Sequence, residues 1–334
     1  MKAMTLRIGL CSLDHLHAMS YLACLAEVPD VELAGIWDDD RELRETTTQR
    51  FGTQACASLQ DLLDRDLDGV IVCSANARHR EHVEAAAQQT PYILCEKPIA
   101  TSAADGQAMI DVCQAAGAKL QIAFPVRFAP AVAEAKRMLD ANRLGRVYSA
   151  ACTNQGFNPG RWFVDPEQSG GGAVIDHTVH VIDLLRWFWD TEVVEVYAEI
   201  GHGFFRPDLD IDDAGLLSFR LANGVYGTLD TSWSRPEGHH SWGNVILELV
   251  GSEGVLSVDA FRPHLDVTAG TPRRSYWHPW GRSPDHGLID DFADMIRTGR
   301  EPSIRGHDGL QALRVALAAY ESSQTGQPVA LDHG

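Results

Sequence analysis

The stretch Tyr92-Ile93-Leu94-Cys95-Glu96-Lys97-Pro98-Ile99-Ala100 decides the fold, because it joins an apolar segment to a charged loop. Residues 92–95 are predicted to form a short buried strand. Pro98 ends it, since proline has no N–H to give to a sheet. Lys97 then lies at the carboxyl end of the strand, the edge of a parallel sheet where ligands bind. For an isolated Lys-Pro, a solvated lysine in a strand-to-helix loop is the commoner explanation, since short motifs match by chance.

Length and charge limit the fold and the partners. The chain has 334 residues and a formal net charge of −18. The length favours two domains. Acidity without any Lys/Arg run argues against nucleic acid and anionic membranes as partners. No apolar run reaches the roughly 18 residues of a membrane helix, and no signal-peptide pattern precedes the first strand. We therefore expect a soluble, cytoplasmic protein.

The arrangement of the cysteines and histidines does not match that of a metal site. The seven cysteines are scattered, and none forms a C-x-x-C or C-x-x-H pair. They are expected to be reduced thiols of a cytosolic protein. His239 and His240 are adjacent, so in regular structure they do not face one point, and no third ligand accompanies them. The sequence therefore predicts no metal site.

Strands alternate with helices over the first 124 residues, and the strands are apolar on both faces. This pattern is typical of a doubly wound parallel sheet. The first strand-turn-helix of such a fold is where a helix N-terminus receives a pyrophosphate. The predicted strands are 6–10, 31–37, 69–73, 92–95 and 120–124, and the predicted helices are 17–28, 41–50, 59–64, 79–88 and 103–116.

The first turn departs from the G-x-G-x-x-G pattern of dinucleotide-binding loops. Only Gly9 is retained, while Cys11 and Asp14 replace the other two glycines. Cysteine is small enough to be tolerated. The charge of Asp14 is unfavourable beside phosphates unless its side chain points away. The candidate cofactor contacts of this turn are Gly9, Cys11, Ser12 and Leu13.

Polar residues follow the second and third predicted strands. Asp38 can accept hydrogen bonds from adenine-ribose hydroxyls and repel a 2′-phosphate, which favours NAD over NADP. It can equally belong to a solvated acidic turn that opens a helix. Ser74 and Asn76 can line a cofactor crevice or simply cap the next helix.

Closely spaced strands dominate residues 125–334 and predict a largely antiparallel sheet, with one face covered by helices or by another subunit. The turns 222–224 and 252–254 are predicted to be three-residue hairpin connections. The predicted strands are 147–153, 193–200, 215–221, 225–232, 245–250, 255–259 and 265–268, and the predicted helices are 131–142, 291–298 and 309–325.

Asp176 and His180 follow a run of three glycines and, being four residues apart, share a helix face. A carboxylate one turn from a histidine can fix its tautomer and stabilise the imidazolium, as general acid/base chemistry requires. By spacing alone, a helix N-terminal acid and a buried structural histidine are the commoner explanation. Aromatic and polar residues also mix in a way that suits a carbohydrate-like ligand, although most can be core. They are Arg161, Trp162, Trp233, His239, His240, Trp242, Trp277 and Trp280.

Together these residues resemble the Gfo/Idh/MocA oxidoreductase family over nearly the whole chain. The Glu-Lys-Pro and Asp-x-x-x-His elements, in this order, are its specific motifs. The resemblance implies an α/β protein with a Rossmann domain over 1–124 and an α/β substrate and oligomerisation domain with an open sheet over 125–334, whose C-terminal helix can pack back on the first. It also implies a homodimer or homotetramer. The supporting positions are Gly9, His17, Asp38, Ser74 to His79, Arg127, Gly170 to Gly172 and Asp308 to Pro328.

The resemblance also implies an activity. A hydride would pass between a nicotinamide cofactor and a sugar, polyol or related alcohol, and Asp38 favours NAD over NADP as that cofactor. His180 would take the hydroxyl proton, Lys97 would stabilise charge on the oxygen and orient the cofactor, and Asp176 would orient the substrate. Further implied cofactor contacts are His79, Glu96 and Arg127, and further implied substrate contacts are Arg161, Trp162 and His177.

Two departures from the family pattern leave alternatives open. The altered glycine turn suggests a catalytically silent cofactor sensor or scaffold, but the retention of Lys97, Asp176 and His180 argues against it. Thr178 stands where the family commonly has glycine, which can reshape the substrate pocket. A glycoside hydrolase that keeps NAD bound and oxidises its substrate transiently is the second alternative.

Overall fold

The computed structural model describes residues 5–236, 238–239, 241–262, 264–270, 273–279 and 281–332. These residues form two compact units. The first contains the described part of Met1–Pro125, together with Glu167–Gly170 and Asp285–Leu310. The second contains Val126–Pro166, Gly171–Pro284 and the described part of Gln311–Gly334.

The first unit is built on a five-stranded parallel sheet in the order β2-β1-β3-β4-β5. Its strands are mostly apolar and buried, as both faces of a doubly wound sheet require, and the exceptions are concentrated at the strand starts, as in residues 31–33 of β2. The predicted fold class of this half is therefore confirmed. The strands are β1 Leu6–Cys11, β2 Val31–Trp37, β3 Gly69–Val72, β4 Tyr92–Glu96 and β5 Lys119–Ala123.

Local capping explains where several helices of this unit begin and end. The side chains of Asp40, Ser58 and Ser102 each accept a hydrogen bond from a backbone N–H in the first turn of the helix that follows. The helix after Ser102 ends on Gly117, which has a φ of 71° that suits glycine. The helices are α1 His17–Leu25, α2 Arg41–Phe51, α3 Leu59–Leu63, α4 His79–Ala87 and α5 Ala103–Ala116.

The second unit is built on a seven-stranded sheet in the order β11-β10-β6-β9-β8-β7-β14. All neighbours are antiparallel except β6 and β9, which are parallel, so the predicted largely antiparallel sheet is confirmed. A separate antiparallel ribbon is formed by β12 and β13. The strands are β6 Val147–Gln155, β7 Val193–His202, β8 Asp212–Leu221, β9 Tyr226–Ser232, β10 Ile246–Gly251, β11 Gly254–Asp259, β12 His264–Gly270, β13 Arg273–Pro279 and β14 Val329–Ala330.

One long helix, Ala173–Trp189, covers a face of this sheet and packs on β6, β8 and β9. Along β8 the side chains of Leu217, Phe219 and Leu221 are buried, whereas Leu216, Ser218 and Arg220, which alternate with them, are exposed. The alternation identifies a covered and an open face. This long helix is α8. The other helices that follow β5 in the chain are α6 Pro130–Asp140, α7 Pro166–Ser169, α9 Pro284–Thr298, which apart from Pro284 belongs to the first unit, and α10 Gly306–Thr325.

Three sequence predictions need correction. Gly251 pairs with Gly254, so Ser252 and Glu253 form a two-residue turn and not the predicted three-residue connection. Helix α9 begins at Pro284, seven residues before the predicted start, and β13, β14 and α7 were not predicted. Within the described ranges, no helix has the length and apolarity needed to cross a bilayer.

Candidate functional site

The end of β1 and the turn that follows it are tightly packed within the first unit. A Cβ on Gly9 would lie 2.7 Å from Leu67 Cδ1, so this position has no room for a side chain. Cys11 is 1% exposed, and burial raises the pKa of its thiol well above the usual value. Cys11 is thus a small packed side chain at the end of β1. Ser12 follows with a φ of 68°, a backbone conformation usually left to glycine.

The carboxylate of Asp38 fastens this turn to the end of β2. Its Oδ2 accepts hydrogen bonds from the Leu13 N–H at 2.5 Å and the Ser12 hydroxyl at 3.1 Å, and its Oδ1 accepts one from the Asp40 N–H at 2.7 Å. Burial, together with the charge of Asp14, raises the pKa of Asp38 more than these hydrogen bonds lower it. Each carboxylate oxygen has further acceptor capacity, so the contacts leave a ribose hydrogen bond chemically possible.

Asp14, at the third glycine position, is directed to the turn after β3. Its Oδ2 accepts a hydrogen bond from the Ala75 N–H at 3.2 Å. The neighbouring N–H of His15 donates to the Cys73 carbonyl at 2.9 Å. Two hydrogen bonds therefore join the turns that follow β1 and β3, at the carboxyl edge of the sheet.

The predicted residues after β3 are buried at this edge. His79 joins two turns, because its Nε2 lies 3.0 Å from the Ser74 carbonyl oxygen and its Nδ1 lies 3.0 Å from that of Pro98. The amide nitrogen of Asn76 donates to the Ser169 carbonyl at 2.8 Å. Its amide oxygen is buried and has no hydrogen-bond partner among the described residues. A buried acceptor left in this way suits a donor group on a bound ligand.

Glu96, at the end of β4, is fully buried and surrounded by donors. Its Oε1 lies 3.0 Å from His17 Nδ1, its Oε2 lies 3.7 Å from His15 Nε2, and the Lys97 N–H donates to Oε2 at 3.1 Å. Burial alone would raise the pKa of this carboxyl, but His15, His17 and Lys97 together bring it below its usual range. Glu96 is therefore an ionised carboxylate beside Lys97, which is itself only 3% exposed.

The group of His15, His17 and Glu96 was not predicted, although the spacing His-x-His was visible. Its potential ligand atoms all lie within 4.8 Å of one another, a separation that can accommodate a metal ion. The hydrogen bonds favour a different arrangement. His15 Nδ1 accepts from the His17 N–H at 3.2 Å, so the neutral ring carries its proton on Nε2, towards Glu96. A metal ligand would need a lone pair there instead.

In the second unit, a carboxylate from the sheet holds the start of α8. Asp212 on β8 accepts hydrogen bonds from the N–H groups of Gly172 at 2.7 Å and Val174 at 2.8 Å. A Cβ on Gly172 would lie 1.9 Å from the Asp212 carbonyl oxygen, so only glycine permits this approach. Asp212 stabilises the helix end as an acidic cap does, although it is remote in sequence.

The first turns of α8 carry the predicted polar residues, and all are buried. Asp176, His177 and His180 are 5%, 0% and 7% exposed. Asp176 Oδ2 accepts a hydrogen bond from Trp233 Nε1 at 3.2 Å and lies 3.3 Å from His177 Nε2. The structure thus brings Asp176 and His177 together on the covered side of the sheet.

Three other residues of the second unit that were predicted to contact a ligand differ in their exposure and in their partners. Arg161 is exposed, whereas Trp162 is buried and stacks on Phe163 with ring centroids 3.8 Å apart. Arg127, predicted to contact the cofactor, makes a bidentate ion pair with Asp183 on α8 at 2.7 and 2.6 Å.

Of the remaining aromatic and histidine residues that were predicted to suit a carbohydrate-like ligand, the structure describes only some. His239 lies 3.0 Å from the Ser241 carbonyl oxygen. His240 and Trp280 lie outside the described residues, as does the side chain of Trp277.

Comparisons with known proteins match both halves of the chain. Residues 7–124 match the model of an oxidoreductase family with an NAD-binding Rossmann fold, and residues 132–257 match the GFO/IDH/MocA C-terminal domain. The chain is 27% identical to the scyllo-inositol 2-dehydrogenase (NAD(+)) of Bacillus subtilis, over 97% of this chain and 95% of that protein. It is also 27% identical to the myo-inositol 2-dehydrogenase of Thermotoga maritima, over 97% of each.

A solved structure has the same fold. The myo-inositol 2-dehydrogenase of Lactobacillus plantarum superposes with a TM-score of 0.85 at 22% identity, over 98% of this chain and 99% of that chain.

Proposed function

Because the chain belongs to the Gfo/Idh/MocA family of oxidoreductases, we propose that it transfers a hydride between NAD and a secondary alcohol of a cyclic polyol or sugar. The observation that carries the proposal is the buried Glu96-Lys97 pair at the carboxyl edge of an NAD-binding Rossmann sheet. The full-length similarity to two inositol dehydrogenases supports the substrate class.

The residues at the sheet edge fit a nicotinamide dinucleotide. The buried amide oxygen of Asn76 offers an acceptor for a cofactor hydroxyl or amide. Asp38 would accept the adenine-ribose hydroxyls, and its negative charge would repel a 2′-phosphate. Gly9, Cys11, Ser12 and Leu13 are the proposed neighbours of the pyrophosphate at the end of β1. The N–H groups of Ser12 and Leu13 already donate to the Trp37 carbonyl and to Asp38, so these two residues would shape the turn beside the phosphates and would not supply free donors. When bound, NAD supplies the hydride acceptor.

The remaining chemistry belongs to side chains of this chain. His180 takes the proton of the substrate hydroxyl as general base. The Lys97 ammonium stabilises negative charge that develops on that oxygen. Asp176 binds and orients a substrate hydroxyl through its carboxylate. Arg161 and Trp162 are further proposed substrate contacts, on the 3₁₀ turn Arg161–Val164.

The first experiment combines cofactor binding and turnover. Titration calorimetry with NAD and NADP should show binding of NAD. NADH formation is then followed with myo-inositol, scyllo-inositol and a panel of aldoses. The Lys97→Met variant should bind NAD but lose about a hundredfold or more in kcat. Lys136→Met is the matched control, since Lys136 is paired with Asp140 on the surface of α6.

The possible outcomes separate the alternatives. Equal turnover by wild type and Lys97→Met would contradict the proposed chemistry. Binding of NAD without turnover of any alcohol would favour a sensor or scaffold. Cleavage of an aryl glycoside without net NADH formation would indicate the NAD-retaining hydrolase.

Cofactor preference is tested at Asp38. The conservative Asp38→Asn variant keeps an oxygen for the Leu13 N–H but removes the charge. We expect the ratio of kcat/KM for NADP to that for NAD to rise about tenfold, because like-charge repulsion is lost. An unchanged ratio would contradict this role of Asp38.

We also propose a homodimer or homotetramer formed through the open face of the seven-stranded sheet. Leu216, Tyr226 and Val250 are 55%, 57% and 42% exposed on β8, β9 and β10. Apolar side chains of this size on an open sheet face suit a second copy of the chain. Sedimentation of wild type and Tyr226→Glu tests the proposal. The variant should dissociate, and a monomeric wild type would refute it.

A further inference from the structure

His177 is fully buried beside Asp176, and the activity proposed above assigns it no role. Its ring lies between β6 and the start of α8, with Nδ1 2.8 Å from the Asn154 carbonyl oxygen and Nε2 3.3 Å from Asp176 Oδ2. A side chain with no exposed surface is placed to act through its neighbours.

The orientation of the ring is fixed from two sides. The side-chain amide of Asn154 donates back to the His177 carbonyl at 3.0 Å, so two hydrogen bonds join these residues. A Cβ on Gly156 would lie 3.1 Å from His177 Cε1 and 3.3 Å from Nε2. The ring therefore occupies space that exists because residue 156 has no side chain. Exchanging the ring nitrogens and carbons would lose the contact with Asn154.

The hydrogen-bond pattern determines where the protons lie. A carbonyl oxygen can only accept, so Nδ1 must carry a proton. A neutral ring would then turn the lone pair of Nε2 towards a carboxylate oxygen. One further proton is needed, either on Nε2 or on Asp176. The Trp233 N–H donates to the same Oδ2 at 3.2 Å, and a hydrogen bond to the ionised carboxylate favours that form. The additional proton therefore belongs to His177.

We propose that His177 is a positioning residue, which as an imidazolium holds the Asp176 carboxylate, together with the Trp233 indole, in the orientation that receives the substrate. The inference rests on the proposed dehydrogenase function. Two fixed contacts at Oδ2 set the plane of the carboxylate. The neighbouring positive charge keeps Asp176 ionised, and an ionised carboxylate is the stronger acceptor for a substrate hydroxyl.

Two substitutions separate the contacts of the ring. His177→Asn places its amide near the position of Nδ1, which keeps a donor to Asn154 and loses the contact with Asp176. His177→Gln reaches the position of Nε2, which keeps a donor to Asp176 and loses the contact with Asn154. With NAD and myo-inositol as probes, we expect His177→Asn to raise KM for the polyol by about tenfold to a hundredfold. His177→Gln should stay closer to wild type, and the Kd for NAD should be unchanged in both.

The opposite pattern would overturn the inference. If both variants change KM equally, or if both lose thermal stability and leave KM unchanged, His177 serves packing alone. If neither wild type nor variants form NADH from any polyol or sugar, the proposed function fails and the positioning role fails with it.

A spectroscopic measurement tests the proton independently of turnover. Nitrogen-15 NMR of the protein labelled at histidine distinguishes a ring with two protonated nitrogens from a neutral tautomer. At neutral pH we expect that one of the imidazolium signals disappears in His177→Asn and is replaced by a neutral-ring signal in Asp176→Asn, while that of His17 beside Glu96 is unchanged in both. A His177 signal from a neutral ring with an unprotonated Nε2 would overturn the inference even in a fully active enzyme.

Discussion

Replacing Glu96 by glutamine is the perturbation for which the structure permits the most detailed prediction. The carboxylate is fully buried, and three N–H groups converge on its two oxygens, from His17, His15 and Lys97. Glutamine has one acceptor oxygen and presents its own N–H₂ group to the remaining donors. At least one buried donor then loses its partner, and the positive charge near the site is no longer compensated.

The size of the effect follows from the burial. Removing one partner of a buried ionic group costs about 3–5 kcal/mol, and glutamine retains part of the hydrogen bonding, so we expect about 3 kcal/mol. In a unit of this size 1 kcal/mol corresponds to a change in Tm of about 2–4 °C. Glu96→Gln should therefore lower the Tm of the first unit by about 6–12 °C.

The pH dependence has a definite sign. Burial lowers the pKa of His17, but Glu96 and Asp285 together raise it by more, so the net shift is upward from 6.5. Its contribution to stability is present below about pH 6.5 and is lost as the pH rises through the higher folded value. The pKa of Glu96 is lowered, so its contribution is present above its unfolded value of 4.5 and is lost in acid. The difference between wild type and variant should be larger at pH 6 than at pH 9.

Differential scanning calorimetry at these two pH values provides the measurement. Glu84→Gln is the matched control in the same unit, because Glu84 pairs with Arg80 on the exposed side of α4 and its loss should leave Tm nearly unchanged. A Glu96→Gln protein that melts with wild type at pH 6, or a difference that grows towards pH 9, would refute the assignment of Glu96 as the charged centre of this cluster.

Three further predictions test other parts of the molecule. His82 is buried, and burial is the main reason that its pKa is lowered from 6.5 to about 3. The free energy of unfolding should therefore fall by about 1.4 kcal/mol per pH unit below pH 6.5. His82→Asn should flatten the dependence of Tm on pH, and an unchanged slope would contradict this prediction. Asp183→Asn breaks the buried bidentate pair with Arg127 and should cost about 3–5 kcal/mol in urea unfolding, whereas a loss below about 1 kcal/mol would show that the pair is dispensable. Asp190 ends α8 with a φ of 47°, so Asp190→Gly should raise the stability by about 0.5–1 kcal/mol, while Asp190→Ala should lower it.

Local sequence signals predicted the elements whose ends are set by neighbouring residues. The strand Val31–Trp37 and the helix Ala103–Ala116 were predicted with the bounds that the structure shows. In the helix, Ser102 caps the first turn and Gly117 ends the last, so both signals lie within the segment. The strand Arg273–Pro279 was missed because it is polar, lacks apolar alternation, and has β12 as its partner in a two-stranded ribbon.

In the candidate site, likewise, the sequence motifs identified individual residues but not the partners that hold them. The motifs singled out Lys97, Asp176 and His180, but the groups that hold such residues are distant in sequence. Asp212 reaches the first turn of α8 across 40 positions, and His17 reaches Glu96 across 79. Neither contact leaves a periodic or short-range pattern, so the sequence contains no local signal for it.

The altered glycine turn, which motivated the catalytically silent alternative, has a local structural explanation. Burial and small size allow Cys11 to pack at the end of β1, where a bulky residue would not fit. The carboxylate of Asp14 is directed to the Ala75 N–H, from which it accepts a hydrogen bond. Asp38 holds the same turn by accepting hydrogen bonds from Leu13 and Ser12. A turn fixed by three neighbouring contacts needs little further ordering when a dinucleotide binds, and preorganisation of this kind lowers the entropic cost of binding. The departures from the glycine pattern are therefore compatible with a cofactor site, and they give no independent support to a silent protein.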